Sequence, residues 1–239
     1  MKIQPTALTV SLLFLAVQCT AAEIYKVHRA GTPITIDGVV TPQEWGSAPT
    51  IKNFYRSGMP GKKAHSGTRV YILYDDNNLY IAGVMGDKDV CAVATARDGG
   101  IWQDDIFEVF LKPKFSSPHY YEIDTTPNAT VYDAFYPKKS AAWARAPQFD
   151  AKMNVATKVQ GTINEWRDVD QGWTIEEAIP FSSLSETTAP PKPGDIWYFC
   201  ICRYDYSVYL PTGVELTSSA ALRRADFHVY EDYDKLLFQ

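Results

Sequence analysis

The sequence predicts an all-β domain: an antiparallel β-sandwich of jelly-roll or immunoglobulin-like type, with few short helices. Three observations carry that expectation. In most segments apolar residues recur with a period of two, as in "TRVYILYDDNNLYIAGVMGD" from Thr68 to Asp87. Short aromatic and β-branched runs alternate with Asp, Asn, Pro and Gly turns along the chain. Long helical periodicity is nearly absent. Strands of this kind bury one face each and need a second sheet to cover that face.

The elements follow in order. Met1-Lys2, an apolar run from Ala7 to Val17 and the small residues before Glu23 have the form of a secretory leader. The run is too short to span a bilayer. Cleavage is expected after Ala22, making residues 1–22 a signal peptide and residues 23–239 the mature domain. Lipid attachment at Cys19 fits less well, because Gln18 precedes it. The Thr68–Asp87 stretch is a hairpin around Asp75-Asp76-Asn77-Asn78. A strand follows at Ile101–Lys112, and "HYYEIDTTPNATVYDAFY" forms a second pair around Pro127-Asn128. "GWTIEEAIPFSSL" is a strand ending in a short turn, "DIWYFCICRYDY" a strong strand, and "DFHVYEDYDKLLF" the closing strand. Lys138 to Asp150, with Trp143 inside it, is expected to be an irregular surface loop. No Gly/Ser linker, charge block or repeat divides the chain, so a single domain is expected.

A formal net charge of −5 excludes the basic footprint of a nucleic-acid partner. After the leader, no segment is long and apolar enough to be a transmembrane span, so an exported protein, secreted or periplasmic, is expected. The 15 Tyr and 6 Trp are mostly packing material. Cys200 and Cys202 stand two apart and point the same way, which disfavours a bond between them. Cys91 could pair with either and leave an odd thiol; no zinc ligand set is present.

The stretch "IWQDDIFEVF" is unusual. By parity Phe107, Val109 and Leu111 share one face, while Glu108 falls on the other in mid-strand. The same sorting puts Tyr121 and Ile123 opposite Glu122 and Asp124. It puts Trp197, Phe199 and Ile201 opposite Tyr198, Cys200, Cys202 and Tyr204. The first set of each strand is the expected core, and the opposite face carries the carboxylates. That face is either an ordinary solvated surface or a ligand site.

Taken together, "ITIDGVVTPQEW", "VYILYDDNNLYIAGVMGDKDV", "WQDDIFEVFL", "YYEIDTTPNATVYDAFY", "GWTIEEAIPFSSL", "PGDIWYFCICRYDYS" and "FHVYEDYDKLLF" resemble the family 9 carbohydrate-binding modules in order and spacing. The resemblance implies a β-sandwich whose groove holds the end of a saccharide between two Trp rings, flanked by polar side chains. It maps the family's W-x-x-D-x-x-E-x-F pattern onto Trp102, Asp105, Glu108 and Phe110. Trp102 would then be a ring platform and Glu108 an acceptor for sugar hydroxyls, or else Glu108 pairs with a basic residue such as Arg203. Where the family carries a basic residue and an amide, this chain has Glu122 and Asp124, which reverses the charge; another polar contact falls at Cys202. The second Trp should lie in "GVELTSSAAL", which has no aromatic residue. Trp143 is the first candidate to replace it, then Tyr206 or Tyr209. The expected ligand contacts are therefore Trp102, Glu108, Glu122, Asp124, Trp143, Cys202 and Arg203. The resemblance further implies a carbohydrate partner, association with polysaccharide-degrading enzymes, and a structural calcium (Ca2+).

Other chemistries remain open at this level. The carboxylates could serve a glycosidase, which needs an acid and a base or nucleophile facing each other across one bond. Met59, Met85, His65 and His119 could be proposed as axial ligands of a b-type haem in an electron-transfer sandwich. His228, Glu231 and Asp232, with Arg203 and Glu215 near them, form either a site or an ion-pair network.

Overall fold

The computed structural model describes residues 22–139, 149–184 and 190–239. The expected leader, apart from Ala22, and Trp143 lie outside the described residues.

Two sheets form the β-sandwich. The front sheet runs in the order β8 (Val131–Tyr136), β7 (Tyr120–Thr125), β6 (Ile106–Lys112), β11 (Ile196–Tyr206), β13 (Asp234–Phe238) and β1 (Ile24–Arg29). The back sheet continues from β1 through β4 (Thr68–Tyr74), β5 (Asn78–Gly86), β10 (Gly172–Pro180) and β9 (Asn154–Gln160). Short strands complete the edges: β2 (Thr50–Ile51) on β4, and β12 (Val214–Ser218) between β11 and β3 (Tyr55–Arg56). β1 belongs to both sheets. Ile24–Val27 pair with β13, then His28 and Arg29 pair with β4, and both ladders are parallel. Every other strand pairing among the described residues is antiparallel. Residue patterns on one strand cannot report the direction of its partner, so the parallel pair was not legible in advance.

The period of two places the core where parity puts it. Phe107, Val109, Leu111, Tyr121, Ile123, Trp197, Phe199 and Ile201 face inward from the front sheet. They pack on Val70, Ile72, Ile81, Trp173, Ile175 and Ile179 of the back sheet in one buried cluster. Both predicted hairpins form. In the first, the Asp75 carboxylate accepts from the backbone N–H groups of Asn77 and Asn78 at 2.7 Å each, an Asx turn that closes β4 onto β5. The outer faces are covered too. Segment 30–48 lies over the back sheet around Trp45, and segment 219–233 lies over the front sheet. The closing "DFHVYEDYDKLLF" is therefore a strand only from Asp234; its first half is cover.

The four-residue helix α1 (Pro42–Trp45) shows why "ITIDGVVTPQEW" is built as it is. Thr41 caps it and Pro42 opens it, with the Thr41 hydroxyl donating to Glu44 at 2.8 Å. Trp45 is delivered into the sheet, where its indole N–H donates to Glu176 Oε1 at 2.8 Å. The other oxygen of Glu176 accepts from the N–H groups of Asp37 and Gly38 at 3.0 and 2.9 Å. One buried carboxylate on β10 thus holds the whole covering segment. Its neighbour Glu177 points the other way, into the core between the sheets, where among the described residues the Thr125 hydroxyl alone donates to it, at 2.8 Å. The three described cysteines are free thiols. Cys200 and Cys202 share the outer face with Sγ atoms 3.6 Å apart, whereas Cys91 lies in a loop tied to Asp105, so the expected pairing of Cys91 with either does not form.

Burial raises the Glu177 carboxyl from 4.5 to about 8, so the folded protein holds a proton there that the unfolded chain has released. This stabilisation is fully present below the unfolded value and is lost as pH rises through about 8. The steepest loss is roughly 1.4 kcal/mol per pH unit. Asp234, raised to about 7, acts in the same direction. Glu177→Gln should therefore flatten, without abolishing, the fall in melting temperature between weakly acidic and weakly alkaline buffer; parallel slopes in thermal melts would contradict the assignment. Gly172, at φ 134°, is a second test, because a Cβ there would meet the Met85 carbonyl oxygen at 1.9 Å. Gly172→Ala should cost at least ~2 kcal/mol in denaturant unfolding through forced separation of β5 and β10.

Candidate functional site

The outer face of the front sheet is built in cross-strand rows. Ser218, Cys202, Glu108, Asp124 and Tyr132 are successive partners in one row, on β12, β11, β6, β7 and β8. Cys200, Phe110, Glu122 and Ala134 form the next. Glu108, Glu122 and Asp124 therefore gather by register alone, and their carboxylate oxygens lie within 4.8 Å of one another. This is not the solvated face of a half-buried sheet: the three residues are 2%, 8% and 5% exposed. Burial, then the charges of Asp124 and Glu122, push Glu108 well above the ordinary carboxylate range. Glu108 and Glu122 are hydrogen-bonded to each other, and Tyr136 is hydrogen-bonded to Glu122. Glu108 Oε2 has no hydrogen-bond partner among the described residues.

Segment 219–233 roofs part of this face. Ala220, Leu222, Phe227 and Tyr233 pack on Phe110, Tyr120, Cys200 and Cys202. His228 sits among the aromatic rings, with the Tyr120 hydroxyl 3.0 Å from its Nδ1 and the Phe110 ring centroid at 5.2 Å. Beside this roof lies a cavity of about 410 Å³, within the ordinary range for a small-molecule pocket. Glu108 and Glu122 line it together with Tyr204, Phe227, His228 and Arg56. The Glu215 carboxylate on its wall is already occupied by the His65 backbone N–H and ring at 2.8 Å each, and by Arg56 at 3.3 Å.

The seven sequence-expected contacts divide. Glu108 and Glu122 line the cavity, with Asp124 beside them, and Cys202 is Glu108's cross-strand partner. Trp102 stands on the loop before β6, 44% exposed, with its carbonyl accepting from the Tyr206 hydroxyl at 2.9 Å. It is not among the residues that line the cavity. Arg203 is on the opposite side of β11, buried, with Nη2 at 2.8 Å from Asp87 and 3.1 Å from Asp205. It cannot pair with Glu108, because odd and even positions of one strand face opposite ways. Trp143 lies outside the described residues. Sequence reasoning missed Arg56 and Phe227, which come from distant segments; of the closing residues named as a site or an ion-pair network, His228 lines the cavity. Tyr204 was findable, since it shares parity with Cys202.

The rest of the closing segment is an ion-pair network: Glu231 pairs with Lys139 and Asp232 with Arg223. Asp105 is an anchor rather than a ligand contact, accepting from the N–H groups of Cys91 and Tyr206 at 2.7 Å each. The described residues gather acids in two clusters, neither of which supplies six to eight protein oxygens for calcium beyond its own carboxylates. At Asp87, Asp105 and Asp205, also within 4.8 Å of one another, the Arg203 guanidinium already supplies the cation. At Glu108, Glu122 and Asp124 the strand backbones are committed to ladder bonds, so the sheet adds no backbone carbonyl to the three carboxylates. Among the residues considered for haem, Met85 is buried in the core, the His65 ring contacts Glu215, and His119 packs on Phe135.

Solved structures share this architecture. A candidate carbohydrate-binding protein from Bacteroides uniformis aligns with a TM-score of 0.69 at 16% identity, covering 92% of this chain and 100% of that one. A carbohydrate binding module family 9 from Caldicellulosiruptor kristjanssonii in complex with cellotriose aligns at 0.60 and 13% identity, covering 91% of this chain and 94% of that one. The same module in complex with glucose aligns at 0.59 and 13% identity, covering 90% and 95%. No protein of curated function matches the sequence. The family model described as carbohydrate family 9 binding domain-like matches residues 36–203, and with that match over most of its length the chain belongs to this family.

Proposed function

We propose that the chain is an exported, non-catalytic carbohydrate-binding protein whose saccharide sits in the cavity on the outer face of the front sheet. The observation that carries this reading is Glu108. It is a buried acceptor with one unpartnered oxygen, on the wall of a cavity that also offers the rings of Tyr204 and Phe227. A pyranose presents hydroxyls around its rim and an apolar C–H face, so acceptors and rings act on different edges of one ligand. Trp102, exposed on the loop that feeds β6, supplies the stacking platform outside the cavity. The cellotriose and glucose complexes of the Caldicellulosiruptor module support the ligand class.

Absence of catalysis is supported by the carboxylate arrangement. Glu108, Glu122 and Asp124 project side by side from neighbouring strands. They do not face each other across a cleft, as acid and nucleophile must when they flank a glycosidic bond. Export rests on the leader-like residues 1–22, and association with polysaccharide-degrading enzymes on the family alone.

Trp102→Ala should weaken saccharide binding at least tenfold, about 1.4 kcal/mol, with an unchanged melting temperature. Fluorescence titration or calorimetry across a glycan panel measures this; unchanged affinity in the folded variant would remove Trp102 from the site. Expression in a secreting host followed by intact-mass measurement should give a chain beginning at Glu23. A mass that retains residues 1–22 would remove the export reading.

A further inference from the structure

A second cavity, of about 510 Å³, opens at the end of the back sheet where β4 begins and β5 ends, and it shares no lining residue with the first. Its charge is opposite to that of the protein. Lys52, Lys63 and Arg69 line it and no acidic residue does, although the whole chain carries a formal net charge of −5. All three cations are exposed. Among the described residues every other arginine pairs with a carboxylate, whereas Arg69, Lys52 and Lys63 form no ion pair. An adjoining cavity shares His65 and Gln171 and does hold acids, but these are matched from within the protein. Arg203 takes Asp87 and Asp205, and Asp170 accepts from the N–H groups of Val90 and Thr162 at 2.8 Å each. The wall itself is anchored. Glu215 accepts from the His65 N–H at 2.8 Å, the Ala64 N–H donates to the Phe54 carbonyl at 3.0 Å, and the Gly86 N–H donates to the Gly67 carbonyl at 2.8 Å. These bonds fix the loop that presents Lys63, while Arg69 projects from β4 opposite Val84 of β5.

Three free cations around one concavity attract an anion, and the space is far larger than an inorganic ion fills. The Arg69 guanidinium offers a planar fork that matches a carboxylate or a sulfate, and the two lysines add point charges beside it. Gln160, Gln171 and Ser66 on the same wall supply neutral donors and acceptors of the kind that sugar hydroxyls use, and Val84 supplies apolar surface. We propose that this cavity is a second binding site, for an acidic saccharide whose units carry carboxylate or sulfate groups. The sugar part rests on the carbohydrate reading above; the anionic part rests on this cavity alone.

The test is calorimetric titration of the full chain with galacturonic acid trimer, the methyl ester of that trimer, sulfated cellotriose, cellotriose and the sugar-free tricarboxylate tricarballylate, each at low and high salt. At least one acidic trimer should bind at least tenfold more tightly than its own neutral counterpart, and the preference should shrink at high salt. The tighter of the two names the acid group. Arg69→Gln and Lys63→Gln should each remove most of the preference, and Arg69→Lys should restore part of it; melting curves identify any variant that fails to fold. Neutral and acidic trimers binding alike would overturn the anionic inference and leave the carbohydrate reading standing. A preference that survives in a folded variant carrying both Arg69→Gln and Lys63→Gln would overturn the placement in this cavity. Tricarballylate binding as tightly as the acidic trimers would overturn the sugar part. Silence of the folded protein toward every neutral and acidic glycan of a broad panel would overturn both readings together.

Discussion

The constraint on which the molecule depends is that β6, β7 and β11 are buried on both faces. Their inward residues form the core between the sheets, and their outward residues lie under segment 219–233. A strand in that position has no solvent into which to release a polar side chain, so each acid or base on it needs a partner inside the protein. The strands answer this in different ways. Arg203 faces one side and is spent on Asp87 and Asp205. Glu108 faces the other and shares a hydrogen bond with Glu122, with its Oε2 buried and unpartnered among the described residues. The back sheet meets the same demand with Glu176, whose two oxygens take three N–H donors, and with Glu177, whose raised pKa favours a neutral acid.

Much of this was legible in the sequence, because strand parity is a strong signal wherever a face is buried. Phe107, Val109 and Leu111 against Glu108 sorted as written, and so did Tyr121 and Ile123 against Glu122 and Asp124. The Asp75–Asn78 turn followed from local Asx chemistry. What parity cannot show is which segment covers a face. The closing stretch from Asp226 looked like a strand because its aromatic residues alternate, yet those rings pack as a roof. The cavity wall combines residues from Arg56 to His228, a span over which no spacing rule operates. The alternative pairing of Glu108 with Arg203 fails for a related reason: charge complementarity suggests it, but Arg203 stands opposite Phe107 on β6 and so faces the other side of the sheet.

The two carboxylate clusters illustrate how similar compositions reach different ends. Each gathers three acids within 4.8 Å, and each would be unstable as three bare charges. Around Asp87, Asp105 and Asp205 the fold inserts its own guanidinium and the backbone N–H groups of Cys91 and Tyr206. That cluster therefore ties loops together at one end of the sandwich. Around Glu108 the fold leaves a cavity. The family match ends at Arg203, so β12 and the roof that complete this cavity lie beyond the matched region.

The double membership of β1 has a consequence for how the chain is made. Ile24–Val27 bond to Lys235–Phe238, so strands from opposite ends of the sequence close the front sheet against the back one. Until the final strand has been synthesised, most of β1 has no ladder to join, and the seam between the sheets stays unzipped. Such a long-range closure is entropically late and favours slow folding. The seam between the two sheets can therefore close only after β13 has been made, later than every other strand described.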